Sequence, residues 1–196
     1  MLAHNSIRRE LELMIEALEA AQKRGSVQVW EASCMKKAWK VHGTHIHSHH
    51  SNEDSLLTPY LKTRINYPEK LTSDHTELVE KLERVGSMVE SLGQKEGDSV
   101  SELLKEMKEY QAIMLPHLRE EEEQGLPMSR AYFTPEEIGA ITQKIVSSIP
   151  KVSKSRFGRN LTPTTKTNDD KFLFLRRLKW DPSSCAKVLT NSAMVL

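Results

Sequence analysis

Two stretches of this chain carry the same arrangement of a histidine, a glutamate and a proline. His49-His50-Ser51-Asn52-Glu53 continues through Leu57 to Pro59, and His117-Leu118-Arg119-Glu120-Glu121 continues through Leu126 to Pro127. In each, the His precedes the Glu by four positions and the Glu precedes the Pro by six. On a helix, side chains four apart share a face and lie about 6 Å apart along the axis. Each stretch therefore offers one imidazole and one carboxylate from one face. Two such pairs facing each other could hold a pair of metal ions.

The elements that would position these pairs are helices. Residues 3–23 place Ile7, Leu11, Met14 and Leu18 at spacings of four and three, the stripe of an amphipathic helix, and His4 extends it. Arg24-Gly25-Ser26 is a stop signal. Residues 27–66 form a longer second helix, with Trp30, Cys34, Ala38, Val41, His45, His49, Glu53 and Leu56 on one face. Pro59 should kink it, because proline lacks an N–H and clashes one turn back. Residues 69–92 carry Leu71, His75, Leu78, Leu82, Val85, Val89 and Leu92 as a third seam. Residues 98–124, capped by Asp98 or Ser99, carry Leu103, Met107, Tyr110, Met114, His117 and Glu121 as a fourth, which Gly125 and Pro127 close. Thr134-Pro135-Glu136-Glu137 opens a short fifth helix reaching about Ser148.

Each of the four seams thus bears ligand-type residues where an apolar one is expected: His4; His49 with Glu53; His75; His117 with Glu121. Buried polar groups without partners are costly, and glutamate is rarely buried unpaired. Four imidazoles and two carboxylates exceed one tetrahedral site, which points to two ions bridged by the carboxylates. Nitrogen and oxygen donors without thiolate suit iron, manganese or zinc, and do not favour copper(I) or an iron–sulfur cluster. The plainer alternative is a metal-free bundle in which Glu53 and Glu121 pair with the histidines. His50 and Asp54 are also four apart, but lie about 100° round the helix from the seam. His45, one turn before His49, is either a further ligand or a hydrogen-bonding partner of the ligands. His42 and His47 are expected at the surface, and Glu120, Glu122 and Glu123 on a solvated acidic face.

This pattern resembles the hemerythrin-like, or HHE cation-binding, domain over roughly residues 1–130. The resemblance rests on His4 before Ile7-Arg8-Arg9-Glu10-Leu11, on His49-His50-Ser51-Asn52-Glu53-Asp54, on Asp74-His75, and on His117 through Pro127. It implies an all-α fold, an antiparallel up-down four-helix bundle around a non-haem di-iron centre. Terminal ligands would be His4, His49, His75 and His117, with Glu53 and Glu121 bridging. The implied partner is dioxygen or another small diatomic ligand, with oxygen or iron binding or sensing as the function. Oxygen-carrying members place a second histidine one turn after the third-helix one; here that position is Val79, so the centre should lack an imidazole. A redox enzyme reducing oxygen, peroxide or nitric oxide on the same centre is the alternative, although no separate catalytic acid, base or substrate pocket is legible.

Composition excludes several other classes. At 38% hydrophobic and 28% charged residues, the chain suits a globular protein with a real core. A net charge of +1 gives no argument for nucleic acid. No apolar run approaches the roughly 20 residues of a membrane span, and His4, Arg8, Arg9 and Glu10 interrupt any signal-peptide core. Two cysteines, Cys34 and Cys185, make neither a disulfide framework nor a zinc site. A reducing, cytoplasmic or nuclear setting is expected. Residues 1–130 form the expected metal-binding bundle and 131–150 the extra helix. Residues 151–196 form a basic tail, linker or docking segment. Its basic-apolar stretch 171–180 is expected to dock Phe172, Phe174 and Trp180 on the bundle or to stay weakly structured. The alternatives are a membrane surface or a partner's groove, which would make the chain a metal-regulated interaction module.

Overall fold

The computed structural model describes residues 2–93 and 100–148. All regular structure among them is helical: α1 (Leu2–Arg24), α2 (Val29–Asn52), α3 (Thr58–Leu61), α4 (Glu69–Ser91), α5 (Val100–Glu120), α6 (Leu126–Tyr132) and α7 (Pro135–Ser148). The expected cap at Asp98 or Ser99 and the tail 151–196 lie outside the described residues.

The helices start and stop for local reasons. Gly25 (φ +73°) and Gly93 (φ +77°) take the left-handed conformation that ends α1 and α4. Thr134 and Glu137 form a reciprocal cap at the start of α7, with Thr134 N–H donating to Glu137 Oε2 at 2.9 Å and Glu137 N–H to Thr134 Oγ1 at 3.3 Å.

At Pro59 and Pro127 the chain does something other than kink. A π turn, Glu53–Leu57, joins α2 to α3, and a second, Glu121–Gly125, joins α5 to α6. Thr58 N–H donates to the Glu53 carbonyl and Leu126 N–H to the Glu121 carbonyl, each five residues back. The wider turn absorbs the bond that the missing proline N–H would otherwise break. The fourth helix therefore does not close at Gly125 and Pro127 as expected, but runs on to Tyr132. The second ends its regular run at Leu61 rather than at Asn66. Both π turns begin at the glutamate of a repeated pair.

α1 packs on α2 and α5, and α4 packs on α2 and α5, so the four long helices enclose one core. That core holds Ile7, Leu11, Ile46, Leu78, Val85, Met107, Tyr110 and Met114, all essentially inaccessible. A second apolar cluster, Leu61, Ile65, Tyr67, Leu71 and Phe133, gathers at one end. Ile138 of α7 packs against it. The fifth helix is thereby attached to the bundle body.

Candidate metal centre

His4 lies in the first turn of α1, His49 in the last turn of α2, His75 in the second turn of α4 and His117 near the end of α5. Those four ends meet. The ligand atoms of His4, His49, Glu53 and Glu121 all lie within 4.8 Å of one another, and so do those of His50, His75 and His117. Each of the six residues singled out by spacing falls into one of these two groups. Glu121 reaches both: its Oε2 stands 3.2 Å from His4 Nε2, and its Oε1 stands 3.2 Å from His117 Nε2 and 3.8 Å from His75 Nε2. Glu53 stands 3.5 Å from His49 Nε2 and 3.7 Å from His75 Nε2.

The seventh member, His50, was excluded by the single-seam reading of the sequence. It is buried, and its ring stacks on His75 with centroids 4.1 Å apart and planes 5° apart. The reason is geometric. α2 packs between α1 and α4, so two adjacent positions 100° apart both face inward. His49 turns toward α1, its ring 5.1 Å from that of His4, and His50 turns toward α4. The imidazole expected to be missing at Val79 is therefore matched by one from α2.

Many of the inward-facing atoms of these side chains have no partner in one another. Among the described residues, nine buried side-chain atoms lack a hydrogen-bond partner, and eight belong to His49, His50, Glu53, His75, His117 and Glu121. His117 Nε2 is an example: it is near Glu121 but not in hydrogen-bond geometry. Each such orphan costs about 1–3 kcal/mol. Together they rival the roughly 5–15 kcal/mol stability of a whole domain. A bound cation that takes their lone pairs removes that cost.

The outer faces of His4 and His75 are fixed. His4 Nδ1–H donates to Glu122 Oε1 at 2.9 Å, and Arg8 holds both oxygens of Glu122 at 2.9 Å. His75 Nδ1–H donates to Asp54 Oδ1 at 2.9 Å, and Asp74 stands 3.7 Å from His117 Nδ1. A carboxylate on Nδ1 fixes the tautomer that leaves Nε2 as a lone-pair donor. Glu122 is thus not part of a solvated acidic face, as its neighbours suggested. Its spacing from Arg8 and His4 in sequence gave no signal.

Electrostatics match this arrangement. Burial, opposed mainly by Glu121, lowers the His49 imidazole to about 3. Burial and the neighbouring His75 lower His50 to about 2. Burial pushes Glu121 up, but His117 and His75 beside it hold its carboxyl below the usual range. Glu53 is pushed well up, by burial first and by Glu121 next. Neutral His4, His49 and His50 beside an ionised Glu121 are in the donor state a cation needs, whereas Glu53, and His75 where it is charged, would give up a proton to bind one.

One turn further into the bundle lies a second polar group that spacing did not reveal. Glu10 Oε2 accepts from His42 Nδ1–H at 2.8 Å and Oε1 from His45 Nδ1–H at 3.1 Å, while Tyr110 O–H donates to His42 Nε2 at 3.3 Å. His42, expected at the surface, is fully buried. Burial opposes ionisation of Glu10, but the two imidazoles hold its carboxyl down at about 2. His45 is tied to Glu10 and belongs to neither ligand group. The available signal was the spacing of His42 from Ile46 and His50, a second inward face of α2.

The class this defines is an all-helical bundle whose helix ends gather imidazoles and carboxylates into groups that could hold a metal. Residues 1–129 match the family model of the hemerythrin HHE cation-binding domain, and the chain belongs to that family. No curated protein and no solved structure matches it. No helix of the described residues is long and apolar enough to cross a membrane.

Proposed function

We propose that this chain holds a dinuclear non-haem iron centre in an antiparallel up-down four-helix bundle, and that it binds or senses oxygen or iron. The observation that carries the reading is the convergence of orphaned imidazole and carboxylate atoms from α1, α2, α4 and α5. His4, His49 and Glu53 would serve one ion and His50, His75 and His117 the other, with Glu121 between them and Glu53 close to both. A bound iron pair would supply redox chemistry and a place for a small diatomic molecule. The protein's own part is to hold Nε2 lone pairs inward, through Glu122 with Arg8 and through Asp54, and to limit water. The Tyr67 hydroxyl lies against Gly125 at the second π turn, where a Cβ would come within 3.2 Å of it. Burial, then Glu121 and Glu53, keep that phenol protonated. The division into a bundle over 1–130, a short extra helix over 131–150 and a basic tail, linker or docking segment over 151–196 belongs to the same proposal.

The test is metal content of protein purified without oxygen, with optical spectra before and after exposure to air. Close to two irons per chain, with charge-transfer absorption appearing on exposure, is expected. No iron, or a single zinc, would replace this reading with a structural one.

Loss of an outer partner should be measurable as well. Glu122→Ala frees His4 to rotate and leaves Arg8 unpaired. Metal affinity should fall about 10- to 100-fold, measured by competition with a chelator, while helical content by circular dichroism is retained.

A further inference from the structure

The ligand groups are buried, so an ion must enter by some path. A cleft of about 610 Å³ opens between the end of α2 with its π turn and the second and third turns of α4. His50 and His75 form its floor, and His47, Asp54, Val79 and Glu80 stand among its walls. No lysine or arginine lines it. His50 is 3% exposed and neither ring nitrogen has a partner, so an unused donor lies just beneath the floor. Asp54 is 43% exposed and accepts the Nδ1–H of His75, linking the mouth to the floor.

We propose that this cleft is the loading route by which a hydrated divalent cation reaches the His50, His75 and His117 group. The proposal rests on the metal-centre reading and adds the direction of entry. A cation with six waters occupies about 200 Å³ at about 30 Å³ per water, so it fits without shedding its shell at the mouth. A cleft walled by one sign of charge raises the local concentration and on-rate of the opposite charge by about 10- to 1,000-fold. Asp54 and Glu80 give that sign, and the buried imidazole nitrogens beneath the floor then replace waters. The same acidic mouth disfavours small anions. Val79 stands in the wall of this passage, one turn past His75, without contributing a donor.

Two variants test the route without touching a proposed ligand. Metal-free protein is mixed with cobalt(II) in a stopped-flow instrument, and the rise of ligand-field absorption gives the loading rate. Release is followed after adding excess chelator. Val79→Phe narrows the passage without changing charge. It should slow loading and release together by about 10-fold, leaving the cobalt bound at saturation unchanged. Glu80→Lys should slow loading by about 10-fold or more at low salt. That difference should shrink as ionic strength rises. If both variants load and release at the parent rate, the route is wrong and the metal centre stands. If the parent protein takes up no cobalt at any concentration, the metal-centre reading falls and the route falls with it.

Discussion

Glu121→Ala is expected to remove metal from this protein almost completely, a loss of more than about 100-fold in affinity. That exceeds the 10- to 100-fold typical of an outer hydrogen-bonding partner. The expectation comes from where the carboxylate stands. Glu121 is near His4 through one oxygen and near His75 and His117 through the other, so one ligand group loses a member and the other its neighbouring carboxylate at once. Glu53 cannot replace it, because its own oxygens lie against His49 and His75. The measurement is iron per chain after anaerobic purification, alongside circular dichroism. Retained iron with retained helix would show that the carboxylate is only a buried partner of the histidines.

The second large effect is on metal-free protein, which should lose stability steeply as pH falls below about 6.5. Burial lowers His4, His49 and His50 from the ordinary 6.5, the last two to about 3 and about 2. Below 6.5 the unfolded chain takes up protons that the folded chain refuses, so acid favours unfolding through that window. Glu10 acts in the same direction. Its carboxyl is held at about 2 rather than 4.5, so the stability it contributes is present above 4.5 and lost as pH falls toward 2. Two groups oppose the trend. Burial works against charging His75, but Glu121 and Asp54 hold it above its ordinary value, and Glu53 is raised as well. Their contributions are present at low pH and lost as pH rises. Three imidazoles and Glu10 outweigh them. The denaturant midpoint of metal-free protein should therefore drop between pH 7 and pH 4, and a flat profile would contradict the burial of these imidazoles. Bound metal should raise the midpoint at pH 7, since a ligand that binds only the folded state stabilises it by mass action.

Much of this was legible before any coordinates. Alternating spacings of three and four placed the starts of α1, α2 and α4 and the ends of α1 and α4 within a few residues, because each long helix buries a stripe in a shared core. The repeated His and Glu pairs were legible because four residues is one helical turn. His50 and His42 were not, because a single seam per helix was assumed. α2 contacts two neighbours at once, and a helix in that position has two inward rows. The π turns were also hidden. The spacing from Glu to Pro was visible, but proline was read as a break, whereas the helix widened and continued. Glu122 was misread for a third reason: its partners come from α1, and pairing across helices leaves no trace in local spacing.

The two π turns set a limit on how this sequence can change in length. Each contains one residue more than an α-helix needs to make the same bonds, and each begins at the glutamate of a pair. Loss of one codon between Glu53 and Pro59 would force ordinary helical bonding on a stretch whose proline lacks the N–H for it. It would also turn α3 by about 100° relative to α2, swinging Leu61 away from Leu71 and Phe133. The same holds after Glu121 for α6. Point substitutions can be absorbed at these positions one side chain at a time, but single-codon deletions cannot, because the extra residue sets the rotation between the ligand pairs and the apolar cluster at the bundle's end. In a lineage of such chains, the interval from each of these glutamates to its proline should drift in composition and stay fixed in length.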